Sequence, residues 1–458
     1  MPQASDIIDE KKINAILKET QAVPQERILS IIEKAKKMKG LELEEVGALL
    51  QAQDESLWEK IFEAASFVKN SIYGERLVFF APLYISSFCV NDCEYCGFHA
   101  RNKACRKKLT MEEVSEQVKA LVDMGHKRLL LEFGEDLVNN PIDYVVDTIK
   151  TIYATKSGKG EIRRVNVNIA ATSIEDYRKL KEVGIGTYQL FQETYHRDTY
   201  AKMHRGPKAD YERQIFAHVR AFEAGLDDFG LGVLFGLYDH RFETLALVAH
   251  AQYLEKTLGV GPHTLSVPRF QPADTVKMES PFKVTEEDLL KVIAVLRLAV
   301  PYTGMIISTR ERPEIRARAF EIGISQTSAA SRTSPGGYGK KEALAQFVTA
   351  DHRTLDEVVS GILEMGLMPS FCTACYRQGR TGEDFMKIAK PGEIHYLCRP
   401  NAILTFKEYL EDYASPEVCK KGEAVIRTFL DQIEDTDRRK ETLVRLERIE
   451  NGERDLYF

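Results

Sequence analysis

The period of the apolar residues changes twice along this chain. Up to about residue 75 they recur at i, i+3 and i+4. ERILSIIEKAKKMKG, LEEVGALLQ and SLWEKIFEAASFVKNSIYG each carry one apolar stripe, the signature of amphipathic helices. Residues 1–76 are therefore expected to form a helical extension capping the next domain, with Glu44 and Glu45 on a solvated face. From residue 77, short apolar runs alternate with longer amphipathic stretches. The runs are RLVFFAPLYIS, KRLLLEFGED, RRVNVNIAATS, TYQLFQETY, DFGLGVLFGL, HTLSVPRFQ, TGMIISTRE and IGISQTSAAS. Between them lie segments such as TMEEVSEQVKALVDMG and TEEDLLKVIAVLRLAV, which open on Thr followed by acids, as capped helices do.

Eight strand-then-helix units over residues 77–355 predict an α/β fold, a (β/α)8 TIM-type barrel. An open doubly wound sheet is the alternative. A barrel places its chemistry at the C-terminal ends of the strands. Polar residues do gather there: GED (Gly134, Glu135, Asp136) ends the second run, QETYH the fourth, PRFQPAD the sixth and STRE the seventh. Residues 356–458 return to the helical period and are expected to form a small helical C-terminal domain.

Composition narrows the function. The chain has 458 residues, 44% hydrophobic and 29% charged, as in an ordinary globular protein. A net charge of −6 offers no basic surface for nucleic acid. No uncharged stretch is long enough to span a membrane, and the opening MPQASDIIDEKKI has no apolar core, so neither an anchor nor a signal peptide is expected. A reducing cytoplasm is the expected compartment, because six of the eight cysteines fall at ligand spacing rather than in a disulfide framework. Cys105 and Cys419 have no such partner and are expected to be packing or surface residues.

The six cysteines form two arrays. SSFCVNDCEYCGFHARN places Cys89, Cys93 and Cys96 directly after the first strand. FCTACYRQGRTG…IHYLCRP places Cys372, Cys375 and Cys398 in the C-terminal region. Each supplies three thiolates where a closed four-iron or zinc site takes four ligands. His99 near the first array, and His395 two residues before Cys398, keep zinc open as an alternative.

The C-x3-C-x2-C spacing, with the aromatic Tyr95 before its last cysteine, resembles the radical S-adenosylmethionine (SAM) superfamily. Adding GED, QETYH, the PR-containing sixth strand, STRE and the second array with YRQGRTG, the whole chain resembles one family within it, the HydG-type maturases of FeFe-hydrogenases. The resemblance implies a SAM-binding 4Fe–4S cluster on Cys89, Cys93 and Cys96, with Tyr95 near the adenine and Gly134, Glu135 and Asp136 at the SAM amino group. It implies a second iron–sulfur cluster on Cys372, Cys375 and Cys398. That cluster carries an additional iron held by His263 and bridged by L-cysteine, at the face of the barrel opposite SAM.

The implied reaction splits L-tyrosine into p-cresol and dehydroglycine, and turns the latter into carbon monoxide and cyanide on iron. Arg310 is the expected carboxylate anchor, with Ser308 and Glu193 in the SAM or substrate shell. Expected partners are a hydrogenase maturation scaffold and a low-potential electron donor. In SQTSAASRTSPGGYG, Arg332 stands where close relatives would carry a small or sulfur-bearing residue. Two competing readings are the 2-iminoacetate (dehydroglycine) synthase of thiazole biosynthesis and a non-catalytic iron–sulfur scaffold.

Overall fold

The computed structural model describes residues 2–339 and 344–458. All eight expected runs are strands: β1 (Arg76–Ser86), β2 (Arg128–Phe133), β3 (Arg164–Asn168), β4 (Tyr188–Gln189), β5 (Phe229–Gly232), β6 (Thr264–Ser266), β7 (Gly304–Ile307) and β8 (Gln326–Ser328). Each pairs in parallel with the next. β8 then returns to β1 through Val78↔Gln326 and Phe80↔Ser328, so the sheet is a closed barrel rather than an open doubly wound one.

The caps agree with the sequence. Thr110, Thr285 and Thr354 each accept from the backbone N–H three residues on, while Glu113, Asp288 and Glu357 reach back to the cap. A ninth strand was not expected. β9 (Met368–Ser370) pairs in parallel with the first residues of β1, Arg76–Val78, on the edge that β2 occupies only from Ala81 onward. It delivers Cys372 directly beneath the N-terminal mouth of the barrel.

Five helices between Ala4 and Tyr73 precede the barrel, and one hydrophobic core joins them to the long helices His240–Leu258 and Glu286–Ala299. The expectation for Glu45 fails. It is buried, its carboxylate taking Lys34 Nζ at 2.7 Å and the backbone N–H of Glu42 at 2.9 Å. Helical periodicity marks which face is apolar but not whether a neighbouring helix brings a lysine over it. The helix Leu355–Glu364 leads into β9, and three of the helices beyond it are His395–Asp412, Pro416–Asp431 and Thr436–Glu450. No described helix is long and apolar enough to cross a membrane.

Candidate active sites at the two mouths of the barrel

At the C-terminal mouth lies a cavity of about 120 Å³. Tyr84, Tyr95, Cys96, Glu132, Asn168, Glu193, Ser308 and Arg310 line part of it. The loop with the first three cysteines is held by Arg106, which donates to the carbonyls of Ser87, Phe98 and His99 at 2.5–2.9 Å. His99 lies 3.1 Å from Asp92.

Each residue of the GED motif contacts something definite. Gly134 lies against the cysteine loop, where a Cβ would meet Phe88 O at 2.2 Å and Cys89 Cβ at 3.0 Å. Glu135 accepts from Asn91 at 2.5 Å and from Arg213 at 2.6 Å, pinning the same loop. Asp136 folds its own turn, accepting the backbone N–H of Val138 and Asn139. Because the obstacle at Gly134 is backbone, Gly134→Ala should shift the Cys89 loop. Overpacking of this kind costs about 1–3 kcal/mol. The expected result is reduced iron and sulfide at the first site after anaerobic reconstitution, measured per chain.

The other motifs separate into structural and cavity-facing residues. Arg269 of the sixth-strand PR and Glu311 of STRE are partners of each other, joined by two parallel hydrogen bonds at 3.1 and 2.5 Å. In QETYH, Thr194 and Tyr195 bond the buried Glu243, and His196 caps the next helix. Only Glu193 faces the cavity, with its backbone at φ +68° and its carboxylate 2.8 Å from Lys208 Nζ. Tyr95 is buried, its hydroxyl 2.8 Å from His204 Nε2.

Arg310 is different in kind. Its guanidinium stacks over Phe347, 3.3 Å from the ring centroid, and among the described residues no carboxylate lies within ion-pair distance. Burial lowers its pKa, against the opposing pull of Tyr84 and Glu193. Ser308 Oγ accepts the Arg310 N–H. Arg332 is exposed, and its loop reaches the cavity through Ser331 and Thr333 instead.

Glu132 was missed by sequence reasoning, although it is the lone acid in the strand RLLLEF. Burial raises its pKa to about 8, against the opposing effects of Asn168 and Arg310. At neutral pH the folded chain therefore holds a proton that the unfolded chain releases. Stability should fall as pH rises from about 4.5 to about 8 and level off above, by up to about 1.4 kcal/mol per pH unit. In Glu132→Gln that part of the slope should vanish. Urea midpoints of the two chains across this range provide the test.

At the opposite mouth a cavity is lined by Cys372, Cys375 and Cys398 together with Tyr73, Arg76, Arg128, His263 and Tyr376. The two cavities are back to back. On β1 the inward residues Val78 and Phe80 face the lower and upper cavity respectively, as do Arg128 and Leu130 on β2, and Gln326 and Ser328 on β8.

His263 immediately precedes β6 and stacks on Phe385 at 4.0 Å, with Tyr376 parallel at 5.6 Å. Its Nδ1 lies 2.8 Å from buried Asp228, close but not aligned as a hydrogen bond. Metal-binding histidines are commonly oriented by such a carboxylate. His395 does not line this cavity. Its Nδ1 is 2.6 Å from Gly392 O.

Three residues here also escaped the sequence reading, though an arginine opens each of the first three strands. Arg76 and Arg128 line the cavity, with Arg128 donating to Cys372 O at 2.8 Å, while Arg164 stacks on Tyr376 at 4.3 Å. Burial lowers the pKa of Arg76, but Cys398 and Cys372 outweigh it and the net shift is upward. Burial raises the thiols, Cys375 to about 12 and Cys96 to about 11. Cationic neighbours of this kind favour thiolates, which are what bind iron.

Among the described residues, no three histidine, cysteine or acidic side chains are grouped closely enough to hold a single ion. A multi-iron cluster, in which each thiolate takes its own iron, does not require that convergence. Of the two unassigned cysteines, Cys105 is exposed and Cys419 donates to Leu410 O.

Comparison with known proteins places this architecture. The radical SAM superfamily matches residues 83–250, and the biotin and thiamin synthesis associated domain matches residues 266–368. A crystal structure of HydG, described as a maturase of the FeFe-hydrogenase, is 54% identical, with a TM-score of 0.97 over 99% of this chain and 100% of that one. The chain belongs to the HydG family of radical SAM enzymes. HydG from Carboxydothermus hydrogenoformans is 39% identical, with a TM-score of 0.86 over 97% of this chain and 100% of that one. The 2-iminoacetate synthase of Escherichia coli (strain K12) is 30% identical across 74% of this chain and 89% of its own. Membership in the radical SAM superfamily implies a 4Fe–4S cluster and SAM. The donor set fits: three thiols in one loop, Cys96 opening onto the cavity, and Gly134 and Glu135 packed behind it.

Proposed function

We propose that this HydG-family enzyme is an L-tyrosine carbon–carbon lyase forming p-cresol and dehydroglycine at the upper mouth. The lower mouth then converts dehydroglycine to carbon monoxide and cyanide on iron for the FeFe-hydrogenase active site. The observation that carries the reading is Arg310, a half-buried guanidinium in the cavity with no acid paired to it among the described residues. A guanidinium receives a carboxylate through two parallel hydrogen bonds, which fixes the amino acid at one end. Ser308, Tyr84 and the neutral Glu132 then surround its amino group or ring. Phe80, Leu130, Ile306 and Leu234 keep that volume dry. Bound together, the cluster and SAM supply a carbon-centred radical for hydrogen abstraction.

At the lower mouth Cys372, Cys375 and Cys398 would hold the second cluster, and His263, braced by Asp228, would bind the additional iron, with L-cysteine as bridging ligand. Arg76 and Arg128 would balance the negative charge. The partners on this reading are a maturation scaffold and a low-potential electron donor, and the compartment is the cytoplasm. The test is anaerobic turnover of the reconstituted chain with SAM, dithionite, tyrosine, cysteine and iron. p-Cresol and carbon monoxide together are expected. p-Cresol alone would instead favour a 2-iminoacetate synthase, and no 5′-deoxyadenosine would favour a scaffold.

A further inference from the structure

The surface over the first cysteine loop has the composition of a protein interface. Among the described residues ten large apolar side chains are exposed, and the two most exposed of all are adjacent, Leu137 at 77% and Val138 at 88%. Val90, at 45%, is the neighbour of Cys89. The two loops meet, since Val90 N–H donates to Glu135 O at 2.7 Å. A groove runs under Leu137, between Asp136 and Arg213.

Basic residues border this patch on one side. From His99 to Lys108 the chain reads HARNKACRKK, with five bases and no acid, on a chain of net charge −6. Arg106, Lys107 and Lys108 are engaged within the fold, while Arg101 and Lys103 are exposed. Lys202, on the helix Arg197–Met203, and Arg205 just after it belong to a segment tied to the cysteine loop through Asp92 N–H to Arg205 O and Glu94 N–H to Met203 O. Two acids lie among them: Asp92 and Glu94 both pair with Arg101, and Glu94 also pairs with Arg205, which leaves Lys103 and Lys202 without an acid partner among the described residues. An apolar centre with a charged rim is the anatomy of a transient interface, and a one-signed rim speeds encounter with an oppositely charged partner.

We propose that Val90, Leu137 and Val138, with Arg101, Lys103, Lys202 and Arg205, form the docking surface for an acidic, low-potential electron-carrier protein. The inference rests on the radical SAM chemistry of the upper site. One electron leaves the reduced centre of the carrier and enters the cluster bound by Cys89, Cys93 and Cys96, and no atoms are exchanged. Docking here puts the carrier directly over the loop that holds those sulfurs. The lower mouth, at the other end of the barrel, stays free for the protein that receives the iron product.

The experiment uses the reconstituted full chain and an acidic bacterial-type ferredoxin as probe. Lys103→Glu/Lys202→Glu and, separately, Leu137→Ser/Val138→Ser are compared with the unaltered chain. Both variants should bind the ferredoxin about tenfold more weakly at low salt. The charge variant should also lose most of the salt dependence of binding. Ferredoxin-driven 5′-deoxyadenosine formation should fall in both, while dithionite-driven formation stays unchanged. Unchanged ferredoxin affinity in both variants overturns the proposal. So does a shift in the oligomeric state of the chain on the same substitutions, which would make the patch a self-contact. If dithionite yields no 5′-deoxyadenosine even from the unaltered chain, the radical SAM reading fails instead, independently of the docking surface.

Discussion

Cys375→Ala is expected to abolish carbon monoxide while p-cresol continues to form. The basis is spatial. Cys375 lines the lower cavity, whereas Cys96 and Arg310 line the upper one, and successive inward residues of β1, β2 and β8 divide the two. On the proposed function, removing one of three thiolates would leave the second cluster two protein ligands, too few to retain it, while the upper cavity, which Cys375 does not line, keeps its lining. Parallel assays of the two products in one anaerobic reaction give the answer. Loss of p-cresol as well, with the first cluster still present spectroscopically, would mean that the two mouths do not divide the labour. Cys89→Ala is the matching control and should stop both products.

The second large effect concerns Arg310. Losing a buried guanidinium–carboxylate pair costs about 3–5 kcal/mol, because the partner charge is left unpaired in a dry site. Arg310→Ala should therefore lower kcat/KM for tyrosine by roughly a hundredfold or more. Arg310→Lys keeps the charge but not the planar fork, and should restore only part of the loss. Cluster content should be unchanged in both, because Arg310 stacks on Phe347 and gives no hydrogen bond to the cysteine loop among the described residues. A defect in cluster content would recast Arg310 as part of the scaffold. Equal activity of Arg310→Ala and the unaltered chain would remove it from the substrate site.

Much of this was legible in the amino-acid order alone. Eight apolar runs became eight strands because each strand is a local feature, written by composition and period within ten or so residues. The threonine caps were legible for the same reason. The first cysteine triad was legible because short-range spacing places its thiols in one loop, whereas Cys398 of the second comes from the helix His395–Asp412 and joins Cys372 and Cys375 only in the fold. The motif residues were harder to rank. Arg269, Arg310 and Glu311 occur in equally suggestive strings, yet the fold pairs Arg269 with Glu311 and leaves Arg310 without an acid. Glu193 faces the cavity while its neighbours Thr194 and Tyr195 turn to Glu243, far along the chain.

The sequence by itself determined the elements, their order, the barrel class and the first group of three cysteines, since all of these depend on residues near one another in the chain. Tertiary structure alone decided which charged groups are neutralised and which are left for a ligand. It set Asp228 behind His263 and gathered the arginines that open three strands around one set of thiols. It set Glu132 facing the upper cavity, where its pKa is raised, and it bonded the Val90 loop to the turn that exposes Leu137 and Val138. Those outcomes depend on strand register and barrel closure. Both are set by the packing of the whole chain, and no window of the sequence contains them.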